Sequence, residues 1–226
     1  MIWDEDINAP VAVPVRILRT VRMRLSGAGD EAVKAEFANA AEEFFTEVPG
    51  WINRFKTDLV EGQTDYPIEL PNGEPITVLD VLADGRHYRP IPADKLHPTT
   101  QSAVYHWDWA EKTLRLAPVP ATTQADKLEV LVSIAPKPGS AEISPAAADR
   151  HFRALVNGTM GYMLSHINRP YSNERQAMMY IRRFRGQIAK EKVAIARGHS
   201  QSDMGFMFPQ VAPGGTPRTR GFPRGL

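Results

Sequence analysis

SNERQAMMYIRRFRGQIAKEKVAIARGHS, residues 172–200, is the stretch around which the rest of the chain is organised. From Asn173 to about Gly198 it reads as one amphipathic helix. Ala177, Ile181, Phe184, Ile188 and Ile195 recur on a single stripe at ~100° per residue. Arg175, Arg182, Arg183, Lys190 and Arg197 fall near the opposite side. Ser172 is placed to cap the helix, Glu174 sits in its positive first turn, and Gly198 can stop it. At ~1.5 Å per residue such a helix runs roughly 39 Å, enough to cross a small domain. Behind it comes SQSDMGFMFPQVAPGGTPRTRGFPRGL (200–226), rich in Gly and Pro yet carrying Phe206, Phe208, Phe222 and Leu226. A packed helix followed by a sticky tail with little propensity to fold points to a part that holds on to other parts.

The remainder of the chain supplies what that helix packs against. It has 226 residues, 42% of them hydrophobic, enough for one sizeable core or two small ones. A net charge of +1 creates no global field toward nucleic acid or membrane. The charges are segregated, however: residues 29–65 hold nine acids and three bases, and residues 173–198 hold seven bases and two acids. The absence of cysteine removes disulfide and thiolate chemistry and suits a reducing cytoplasm or a particle assembled there. No apolar run approaches the ~20 residues of a bilayer span, and the start MIWDEDINAP is acidic rather than signal-like. The expectation is a soluble intracellular product, with Asn157-Gly158-Thr159 a chance sequon.

Met1 to Pro14 reads as an arm, with Asp4, Glu5 and Asp6 followed by Pro10 and Pro14; Trp3 is either an anchor on a neighbour or folded back. Val15 to Leu25 fits a strand or a helix. Asp30 is a good N-cap for a helix to about Val48, with Val33, Phe37, Ala40, Ala41, Phe44 and Val48 as its buried stripe. Glu36, Glu43 and Glu47 line up beside that stripe, and Pro49-Gly50 ends it. From about Trp51 to Pro136 the period changes to two. Strands are expected at 65–70, 76–82, 87–89, 105–109, 113–117 and 128–134, five or six in all, with Asp84-Gly85 a strong hairpin signal. Helix returns at Ser144-Pro145, with Phe152, Leu155, Val156, Met163 and Ile167 buried, and Asn168-Arg-Pro170 turns the chain into the last helix. The fold class is therefore α+β. A small helical bundle (30–50 and 144–198) carries an inserted antiparallel sandwich or barrel-like β domain (51–143), with an N-terminal arm (1–29) and an extended tail (199–226).

Catalytic signatures are missing: no phosphate loop, no G-x-G-x-x-G, no H-E-x-x-H and no G-x-S-x-G. The six histidines show no metal-ligand spacing, and no cofactor is expected. His106 and Asp108 share a strand face and read as exposed polar positions opposite an aromatic face of Tyr105, Trp107 and Trp109. That face fits core packing better than base stacking, since no basic cluster adjoins it. The basic face of the last helix has three readings: a solvated surface, a contact with the acidic first helix within or between subunits, or a surface toward phosphates. In the tail, three Phe and one Leu return less than ordering so many residues costs, so docking there requires another chain.

Several segments together carry a family resemblance: AEFANAAEEFFTEVPGW (35–51), DLVEGQTDYPIELP (58–71), VLDVLADGRHYRPI (78–91), TLRLAPVP (113–120), VLVSIAPKP (130–138) and RRFRGQIAKEKVAIARGHS (182–200). In layout and in these residues the chain resembles the head-to-tail adaptor, or head-completion, proteins of tailed bacteriophages, particularly podovirus-type ones, over about residues 30–200. The resemblance implies a non-enzymatic virion protein at the head–tail junction, assembled in the host cytoplasm. It implies a homo-oligomeric, usually dodecameric ring beneath the portal protein that prolongs the DNA channel, contacts DNA without sequence specificity, meets tail proteins through its β part and touches no membrane. The tail would grip the portal through Phe206, Phe208, Phe222 and Leu226, with Arg218, Arg220 and Arg224 pairing with acids. Glu36, Glu43, Glu47, Arg175, Arg182, Arg183 and Lys190 are the candidates for the subunit interface or the channel. A nucleic-acid-binding module using the basic helix face is the alternative.

Overall fold

A computed structural model describes residues 12–71, 73–97 and 100–200. Among the described residues, five α-helices, α1 (Val15–Arg24), α2 (Asp30–Glu47), α3 (Pro145–Arg150), α4 (Phe152–Ser165) and α5 (Glu174–Ser200), bracket seven strands. The fold is α+β, as the change of period indicates.

The strands are β1 (Ile52–Leu59), β2 (Asp65–Pro67), β3 (Glu74–Ala83), β4 (Arg86–Pro90), β5 (Val104–Asp108), β6 (Thr113–Ala117) and β7 (Gln124–Ala135). They lie in the order β1-β7-β3-β4-β5-β6-β2, and only β4 and β5 run parallel. Asp84 and Gly85, both at positive φ, form the two-residue turn between β3 and β4, the geometry an Asp-Gly pair accepts most readily. The sheet curls so that β5 reaches back to β3: Tyr105 donates to the Val78 carbonyl at 3.5 Å and Trp107 Nε1 to the Ile76 carbonyl at 3.1 Å. Burial pushes the Tyr105 phenol up to about 12, because a phenolate there would be stripped of water.

Helix α4 is the hub, packing on α1, α2 and α5, while α2 also touches β7. Its glycines set the spacing. A Cβ on Gly158 would stand 2.8 Å from the Ala40 methyl and 3.1 Å from the Phe184 ring, and one on Gly161 would stand 2.7 Å from Ile181. With no side chain in the way, α2 and α5 approach α4 closely, and Phe184 fills the space between at 0% exposure. One continuous set of buried residues runs from the helices into the sheet, including Phe37, Phe44, Trp51, Val130 and Leu155.

Local readings differ from the structure at several points. Residues 15–24, ambiguous in the sequence and counted within the arm, form a helix whose Ile17 and Val21 are buried. The helix read as continuous from Ser144 breaks at His151 into α3 and α4. Asn173, not Ser172, caps α5, its side-chain oxygen accepting from the Gln176 amide at 3.0 Å, and α5 continues past Gly198 to Ser200. Ile167 is 83% exposed because α4 stops at Ser165, taking Ile167 off the helical period. Trp109 is 75% exposed because β5 ends at Asp108, whose Oδ1 accepts from the Ala110 and Glu111 amides and turns the chain.

Candidate assembly surfaces

The acidic row on α2 is engaged within the chain. Glu36 meets His166 Nε2 at 2.7 Å, and the other ring nitrogen lies 3.3 Å from the Tyr171 hydroxyl. Glu43 accepts from the Tyr162 hydroxyl. Burial raises its pKa above the usual carboxylate range, partly offset by the Arg185 guanidinium, while Glu47 adds to the rise. Glu47 pairs with Lys192. These carboxylates of α2 thus meet the residue just past α4, its last turn, and α5. Sequence spacing identified the row of acids but not these partners; Tyr162 and His166 carry no signal that points to α2.

Around α5 the stripe behaves as its period dictates, with Ala177, Phe184 and Ile188 buried. Arg175, Arg182, Arg183 and Lys190 are exposed on the outer side, and Arg183 lies over the Tyr180 ring at 5.9 Å. Beside them Met178 and Val193 are about half exposed, so this face combines cations with apolar patches. The candidate portal contacts Phe206, Phe208, Arg218, Arg220, Phe222, Arg224 and Leu226 lie outside the described residues, as does the arm segment 1–11.

His106 and Asp108 do not converge on a site. The His106 ring points to the Ile91 carbonyl at 3.2 Å, and Asp108 is occupied by the turn it builds. Among the described residues, no group of three or more His, Asp or Glu is placed to hold a metal ion. No helix among them is long and apolar enough to cross a membrane. His151 is 4% exposed and packs on Phe44 and Phe45 with ring centroids 4.8 and 5.9 Å away. Burial lowers its pKa, and Glu191 opposes that shift.

Glu36, Glu43 and Glu47 of α2 are engaged inside the chain, and the outer face of α5 presents cations beside apolar side chains. A family model described as SU10 adaptor protein matches residues 16–209. The chain belongs to this family of phage head–tail adaptors. The match takes in α1, the whole sheet, α5 and the first residues beyond it, so it covers helical and β parts together. The family is structural, and membership places the adaptor at the virion head–tail junction, in contact with portal and tail components. No curated protein matches the chain.

Proposed function

We propose that this adaptor forms a ring of twelve copies between the portal and the tail of a podovirus-type phage. The observation that carries this reading is the family match across residues 16–209. In it, the helical part (30–50 and 144–198) lies toward the portal and the β part (51–143) toward the tail. The ring prolongs a DNA channel without reading sequence, and its mechanism is mechanical: no step requires a catalytic group. The exposed α5 side bearing Arg175, Arg182, Arg183 and Lys190 serves as subunit interface or channel wall. Exposed ion pairs contribute only ~0–1 kcal/mol each, too little to close a ring alone, so the ring assembles on the portal from subunits made in the host cytoplasm.

Negative-stain imaging of the purified protein with and without portal rings tests this. The expected result is no ring alone and a ring of twelve added beneath the portal. A stable ring in portal-free solution that persists at high salt would overturn assembly on the portal. Strongly salt-dependent duplex binding by the monomer, with no portal attachment, would favour the nucleic-acid-binding alternative through the same α5 face.

A further inference from the structure

Among the described residues, the strand order leaves β1 and β2 at the two edges of the sheet, and the two edges differ. On β2 the Leu116 amide donates to the Thr64 carbonyl and the Ile68 amide to the Lys112 carbonyl, so the outward positions are Asp65 and Pro67. Pro67 has no N–H to offer, and the Asp65 carbonyl already accepts from Gln63 Nε2 at 2.8 Å. That edge is blunted. On β1 the Ile134 amide donates to the Trp51 carbonyl, so in this register Asn53, Phe55 and Thr57 bond to β7 through their backbone. The backbone groups of Ile52, Arg54 and Lys56 then point away from the sheet. Among the described residues these outward groups have one partner: the Arg54 amide donates to Asn53 Oδ1 at 2.8 Å. Pairing is regular from Ile52 to Thr57, with a shift only between Thr57 and Leu59, and no proline interrupts the strand.

A row of free N–H and C=O groups at every second residue recognises one kind of occupant, another extended strand. The side chains fix its chemistry. Arg54 and Lys56 both reach Glu129, at 3.3 and 2.8 Å, so two cations share one carboxylate and one positive charge is left over on that face. A residue added beside either cation stands about 4.5–5.5 Å away, where a carboxylate completes the pairing. On the other face Phe55 lies half-buried at the rim of the core, and an apolar residue beside it would take more of its ring out of water. A second copy of β1 does not meet these demands. Two β1 edges paired antiparallel about Phe55 set Arg54 of each against Lys56 of the other, and like charges directly opposite destabilise. We propose that β1 is the docking edge for an extended segment of another protein that alternates acidic and apolar residues. The segment joins the sheet beside β1, and the Asn53 side chain gives up the Arg54 amide as it seats. In the assembly proposed above the β part faces the tail, so a tail component is the source; that attribution alone rests on that reading.

The probe is a capped synthetic nonapeptide alternating glutamate and valine, added to the full chain in solution, with a lysine–valine peptide as its control. The glutamate peptide should slow amide exchange at Ile52 and Lys56 and leave it unchanged at Asn53 and Thr57, whose amides already bond to β7. Lys56→Pro removes an outward N–H and no bond to β7, so it should weaken that peptide at least about tenfold. Lys56→Ala keeps the N–H and should weaken it less. Arg54→Glu with Lys56→Glu and Glu129→Lys leaves every backbone group in place and should reverse the preference toward the lysine peptide. No protection at Ile52 and Lys56, or equal binding by Lys56→Pro, overturns the proposal. So does protection that rises with protein concentration alone, which would make a second copy the occupant. These readouts need no ring, so failure of the strand site and failure of the assembly are told apart. On portal-bound rings, loss of tail attachment with Lys56→Pro supports the tail component as the source, and attachment equal to wild type overturns that source.

Discussion

His151 shows what one buried side chain does to the whole. It sits at the break between α3 and α4, on the rings of Phe44 and Phe45, with Gly50 so close that a Cβ there would stand 2.5 Å from Nε2. Burial holds its pKa below the ordinary 6.5, so the fold prefers the neutral imidazole and the unfolded chain takes up the proton first. Its contribution is therefore complete above pH 6.5 and is lost as pH falls below that value toward the lowered folded pKa. Thermal melts from pH 7.5 to 5 should show the wild type losing stability on acidification, and His151→Leu losing less over the same window. Parallel pH dependences in the two proteins would remove His151 as the cause.

At the scale of elements, α4 works as a spacer because two of its residues lack a side chain. Gly158→Ala adds a methyl 2.8 Å from Ala40, and forcing apart a packed helix pair should cost ~1–3 kcal/mol. Gly186 on α5 has nothing within 4 Å of an added Cβ, so Gly186→Ala should stabilise by ~0.5–1 kcal/mol through helix propensity alone. Denaturant titrations of the two variants should move the midpoint in opposite directions. The same logic explains the sequence-level reading of α2 and α5. Phe37, Ala40, Ala41, Phe44, Phe184 and Ile188 were legible as buried because helical period alone places them on one side. Ile167 and Trp109 were not, since each stands just beyond the end of its element, where period stops carrying information.

For the whole molecule, the separation between a packed body and its terminal segment is the testable point. Among the described residues, the buried set that holds the fold together runs from Val13 to Ile188. Deleting residues 202–226 should therefore leave the circular dichroism melt unchanged while abolishing stable attachment to portal rings, if Phe206, Phe208, Phe222 and Leu226 are the grip. Wild-type attachment by the truncated chain would refute that role, and a lowered melting temperature would show that the segment also supports the body.

Period, turn chemistry and composition by themselves determined the α+β class, the two-residue Asp84-Gly85 turn, the buried stripes of α2 and α5, and the lack of catalytic signatures. Each of these depends on residues a few positions apart, so a local pattern suffices. Tertiary structure alone decided which partners the α2 carboxylates take: Glu36 finds His166, Glu43 finds Tyr162 and Glu47 finds Lys192, across separations of 130, 119 and 145 residues. It also decided that His151 is buried and that four bases from four helices share one hollow. The reason is physical: burial and pairing depend on what arrives from the far end of the chain, and no local spacing encodes that arrival.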